Sequence, residues 1–128
     1  MEAYGKCRHV LGRGPSGMFG HVELLLQTVS NLGQCSVQWQ VRSNQYALDA
    51  REQVERAVSE YLSKYVRVYP EYSFHAVITE VTSDPERRND YARAVNLALR
   101  EALEGLGLPV SRIFSLESLP QSPDMNIS

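Results

Sequence analysis

Hydrophobic and polar positions alternate with a period of two along the first third of the chain, then change to a helical period. Residues 6–11 read as a first strand and residues 21–29 as a second, with Val22, Leu24 and Leu26 on one face although Leu25 blurs the alternation. Asn31-Leu32-Gly33-Gln34 reads as a turn. Residues 36–41 alternate cleanly, with Val37, Trp39 and Val41 set against Ser36, Gln38 and Gln40, and predict a half-buried antiparallel strand. From Tyr46 the spacing is helical: Ala47, Ala50, Val54, Ala57, Val58, Tyr61, Leu62 and Tyr65 form one stripe, with Ser43 or Asn44 as the cap. Pro70 closes the connection, and residues 73–81 carry apolar side chains on both faces, as a central strand does. Ser83-Asp84-Pro85-Glu86 reads as a second helix start, and Tyr91, Val95, Ala98, Leu99, Ala102, Leu103 and Leu106 as its buried stripe. Gly105 or Gly107 ends that helix, with Pro109 beyond. Residues 112–116 read as a short extra strand and residues 120–128 as a loose tail.

The predicted order is β-β-β-α-β-α, an α+β two-layer sandwich with a four-stranded, mainly antiparallel sheet and two helices on one face. Its domain spans residues 1–109, with residues 110–128 as the extra strand and tail. A chain of 128 residues buries a core of its own without metal or disulfide staples.

A net charge of −2 and a pI near 5.9 exclude a generally basic nucleic-acid coat, so any polyanion contact must be local. Cys7 and Cys35 lie far apart with no CxxC motif; a disulfide between them is one reading, and two free buried thiols of a reducing cytoplasm is the preferred one. The longest apolar run near them, Leu24-Leu25-Leu26, is far too short to span a bilayer, and residues 1–20 lack a secretory apolar segment. A cytoplasmic location with no membrane partner is the default expectation.

Candidate chemistry gathers at the N-terminal end. Gly5, Gly12, Gly14, Gly17 and Gly20 fall within sixteen residues, mixed with Lys6, Arg8, Arg13 and His21. Such a cluster marks a tight, accessible loop, suited to phosphate or RNA contact and equally to a purely structural turn. The loop leads into a strand, whereas nucleotide-cradling loops open a helix. No P-loop motif occurs. His9 and His21 flank the glycine loop with no carboxylate spaced to orient them, His75 lies mid-strand, and all three read as core or surface histidines. Tyr61 and Tyr65 fall on the buried helix stripe, Trp39 reads as core, and Arg51, Glu52, Glu55, Arg56, Glu60 and Lys64 as a solvated helix face. With no carboxylate pair, metal cluster or nucleophile–base set, the chain is expected not to be an enzyme and to need no cofactor or metal.

Glu2-Ala3, Gly5-Lys6, Gly12-Arg13-Gly14 and Gly20-His21-Val22 resemble the opening of domain IV of bacterial elongation factor G, which has relatives in the tetracycline-resistance ribosomal protection proteins. The resemblance covers roughly residues 2–106 and extends to the element order. It implies a left-handed βαβ crossover, a rare exception to the usual hand. It also implies a tip, formed by the glycine loop and the loop between the last strand and last helix, that meets ribosomal RNA near the decoding site. On this chain the RNA-contacting residues are then Arg13, Gly14 and His21 from the first loop and, by position, Arg87 and Arg88 from the second. The ribosome or its RNA is the implied partner, DNA is not, and a GTPase domain is the implied neighbour if the chain is a piece of a larger factor. Two departures bear on this. Pro15-Ser16-Gly17-Met18 lengthens the first loop, and residues 82–90 lack the family's histidine-bearing pattern. They leave open an alternative: a protein-interaction or accessory domain of the same fold with no ribosomal role.

Overall fold

In a computed structural model that describes residues 1–12, 17–30, 34–42 and 44–110, the elements are β1 (Glu2–Leu11), β2 (Met18–Thr28), β3 (Cys35–Trp39), α1 (Ala50–Val68), β4 (Phe74–Thr82), β5 (Arg88–Asn89) and α2 (Tyr91–Gly105). The main sheet has the order β1-β2-β4-β3, with β5 attached to β2. β1, β2 and β4 pair antiparallel, and β3 pairs with β4 in parallel. This is an α+β two-layer sandwich in which both helices share the core with one sheet face.

That core follows the sequence stripes. Val22, Leu24 and Leu26 of β2 and Phe74, Ala76, Ile78 and Val81 of β4 meet Val54, Val58, Leu62 and Tyr65 of α1 and Val95, Ala98, Leu99 and Leu103 of α2. Burying such side chains contributes on the order of 2 kcal/mol each. β4 is central and carries Val77 buried on the face away from the helices, as its two-sided apolar pattern predicts. α2 lies close on β1 and β2 at two glycines. A Cβ at Gly5 would overlap the Ala98 carbonyl, and one at Gly20 would lie 2.9 Å from the Asp90 carbonyl oxygen. The phenol of the buried Tyr65 donates to the Pro109 carbonyl at 2.7 Å, tying the chain after α2 to α1.

Four expectations change. β3 is parallel to its neighbour, not antiparallel: alternation shows that one face is buried, while direction is set by the crossover through α1. α1 begins at Ala50, so Asn44, Tyr46 and Ala47 precede it, and Asp49 at its N-cap position makes no side-chain cap bond. Ser43 lies outside the described residues. α2 begins at Tyr91, not near Ser83, and its cap is Asp90, whose carboxylate accepts the Arg93 N–H at 3.0 Å. β2 begins at Met18, so the glycine loop ends at Gly17 and Gly20 is a strand residue. The readings on residues 31–33 and 112–128 lie outside the described residues.

Candidate nucleic-acid interface

The two loops named for the tip meet at one end of the sheet. β5 pairs in parallel with the start of β2, Arg88 opposite Met18 and Asn89 opposite Phe19. The Arg88 N–H donates to the Gly17 carbonyl at 3.1 Å and the Asp90 N–H to the Phe19 carbonyl at 2.8 Å. Gly12, at φ 71°, takes the left-handed conformation that turns the chain out of β1.

The second loop is held by its own side chains. The Glu86 N–H donates to Asp84 Oδ1 at 2.8 Å, and the Asp84 N–H donates to Asn89 Oδ1 at 2.8 Å. The Asn89 amide returns bonds to the Asp84 carbonyl at 2.9 Å and the Arg87 carbonyl at 3.3 Å. Asx bonding of this kind gives the backbone an alternative to helix, which is why α2 starts late. The Glu86 amide, then the Arg87 guanidinium, hold the Asp84 carboxyl below its ordinary value of 3.8. Ser83 anchors the loop base: its N–H donates to the Gln45 carbonyl, and its hydroxyl accepts the Ala47 N–H at 2.9 Å and meets the Tyr91 hydroxyl at 2.6 Å.

Arg87 and Arg88 are brought together but are not equivalent. The Arg87 guanidinium pairs with Asp84 and donates through Nε to the Gly12 carbonyl at 3.1 Å, so it clamps the second loop to the first. Arg88 is exposed, and its backbone alone is engaged among the described residues. Arg13 and Gly14 lie outside the described residues. His21 sits in β2, on the sheet face away from the helices, where its Nε2 donates to Glu23 Oε2 at 3.0 Å. That tautomer leaves Nδ1 as a buried atom with no partner among the described residues. The orienting carboxylate that the sequence reading did not find is two residues on: alternation along β2 puts positions 21 and 23 on one face. Arg8, opposite His21 on β1, stands over the Phe19 ring at 5.4 Å and adds a second exposed cation near the tip.

Other candidates are structural. His75 bridges Ser36 and Gln38 across the β3–β4 pair, at 2.7 and 3.1 Å. Cys7 and Cys35 are free and half-buried on strands at opposite edges of the sheet, and burial pushes both thiols up, away from nucleophilic character. Among the described residues, no group of three His, Cys, Asp or Glu side chains is placed to hold a metal ion, and no helix is long and apolar enough to cross a membrane.

No protein-family model and no curated protein sequence matches the chain. Among solved structures, a protein of Thermus thermophilus is similar over 81% of this chain, with a TM-score of 0.65 and 19% identity. Rice (Oryza sativa) Rrp46 aligns over 84% of the chain with a TM-score of 0.45 and 16% identity. The chain spans 16% of the Thermus protein and 57% of the rice protein. The fold thus defines a class, the two-layer α+β sandwich with a parallel βαβ unit at one edge and two loops joined at one end. Within that class the chain resembles domain IV of elongation factor G in its opening motifs and element order.

Proposed function

We propose that the chain is a non-catalytic RNA-contacting module, resembling elongation factor G domain IV, that meets ribosomal RNA near the decoding site through the tip built from residues 12–17 and 83–90. The observation that carries this reading is the joining of the two loops by β5 and by the Arg87 clamp, which leaves Arg88 exposed at the junction. Guanidinium groups at such an end suit phosphate oxygens, and backbone contacts of this kind position a protein without reading sequence. Arg13, Gly14 and His21 complete the proposed contact set, with Arg88 as its direct contact and Arg87 as the support that holds the loops together.

Co-sedimentation with small ribosomal subunits at low salt tests it. The Arg13→Gln/Arg88→Gln double variant is expected to lose most of its co-sedimentation while keeping its fold. Arg87→Gln is expected to weaken binding together with local stability. Unchanged sedimentation of the double variant overturns the reading. No RNA affinity at all, together with recovery of a defined protein complex, favours the accessory-domain alternative, which the modest positive charge of the tip also suits.

A further inference from the structure

A pocket of about 460 Å³ opens beside the tip, between the segment that enters α1 and the end of β4, within the size range of small-ligand sites. Tyr46, Ala47, Thr82, Ser83, Pro85 and Asn89 line it. Asn44, Gln45 and Asp84 complete the wall, and the polar side chains of its β4 side are already committed. The Ser83 hydroxyl serves Ala47 and Tyr91, the Asn89 amide serves the backbone of Asp84 and Arg87, and the Thr82 hydroxyl donates to Glu80. The Tyr46 ring and Pro85 remain as flat apolar surface. Tyr46 is fixed edge-to-face against Trp39, with ring centroids 5.4 Å apart. The walls are pinned to each other through Ser83, so the pocket is preformed.

The charges beside the pocket are mixed, and one exposed cation lies within reach of it. Asp84, the acid in its wall, is paired with Arg87. Asn89 is shared with a groove that holds the exposed Arg88 and also Asp90, whose carboxylate accepts the Arg93 N–H. An apolar slot with a cation one residue from its wall matches a flat heteroaromatic ring carrying a phosphate. We propose that this pocket receives one unstacked nucleobase of a single-stranded RNA, with the adjoining phosphate on Arg88; this rests on the RNA-contacting reading of the tip. Because Thr82, Ser83 and Asn89 of the wall are spent internally, stacking on Tyr46 supplies most of the recognition, which discriminates little between bases.

Amide chemical shifts of the whole chain, titrated with adenosine monophosphate, uridine monophosphate, adenosine and ribose 5-phosphate, test this. Both nucleotides are expected to shift the amides of Ala47, Thr82 and Asn89 saturably, with affinities within about threefold of one another. Ala47→Trp, which fills the pocket from an exposed position, is expected to abolish the response. Tyr46→Leu keeps an apolar partner for Trp39 and is expected to weaken binding about tenfold, the loss of one stacking contact. Arg88→Gln is expected to bring nucleotide affinity down to that of adenosine. An equal response to ribose 5-phosphate, or no shift at these amides, overturns the pocket. Nucleotide binding here without ribosomal co-sedimentation keeps the pocket and removes the proposed ribosomal role. Arg88-dependent co-sedimentation that Ala47→Trp leaves untouched does the reverse.

Discussion

At the scale of single residues, the glycines divide into two kinds that composition alone does not separate. Gly12 is a turn residue with a positive φ. Gly5 and Gly20 are extended strand residues whose missing side chains let α2 lie against β1 and β2. Gly5→Ala is therefore expected to destabilise the protein by about 2 kcal/mol, because the new methyl group meets helix backbone that cannot rotate away. Urea denaturation checks this against Glu2→Ala on the same strand, which is exposed and expected to change stability by less than about 0.5 kcal/mol. The sequence shows the glycine cluster plainly. It does not show that two of its members belong to a packing contact, because the atoms they avoid sit on a helix at the other end of the chain. His21 teaches the converse lesson: its partner Glu23 was within reach of strand alternation alone.

At the scale of elements, the helical stripes were legible because α1 and α2 each bury one continuous face. Val54, Val58, Tyr61, Leu62 and Tyr65, and likewise Val95, Ala98, Leu99, Ala102 and Leu103, are buried as their spacing requires. The start of α2 was not legible, because Asp84 and Asn89 compete for backbone groups that a helix would use. A cap, a proline and an acid in a row look the same in a helix start and in this locked turn. The lock has a pH signature. Asp84 titrates below its ordinary 3.8 in the folded chain, so its contribution is present above that value and is lost as pH falls through the lower folded value. Asp84→Asn keeps an acceptor for the Glu86 N–H but removes the charge that Arg87 faces. Stability measured at about pH 5 and about pH 2.5 is expected to fall less in Asp84→Asn than in the unmodified chain, since other carboxylates titrate equally in both. An identical fall in the two proteins rejects Asp84 as a contributor. Amide exchange at residues 84–89 is expected to quicken in the variant.

At the scale of the whole molecule, the balance of charge limits what the tip does. The chain carries a net charge of −2, and two arginines on the outer face of α1 are matched by acids one turn away, Arg51 with Glu55 and Arg56 with Glu52, while Arg67 stands exposed in its last turn. The exposed cations near the tip include Arg8, Arg88 and, in the first turn of α2, Arg93, with Arg13 added from the glycine loop by the sequence. About three phosphate contacts to a single strand give a slope of log K against log salt of about −2. Raising salt from about 50 to about 200 mM is then expected to weaken binding of a short single-stranded RNA roughly fifteenfold. A surface making six to ten phosphate contacts to duplex DNA loses about a thousandfold or more over the same range. Fluorescence anisotropy across a salt series reads the slope directly. Arg88→Gln is expected to reduce its magnitude by about 0.7, the share of one phosphate, while Arg56→Gln leaves it unchanged. A slope near zero removes phosphate contact from the proposed function. A slope steeper than about −5 moves the contact off the tip and onto a broader basic surface.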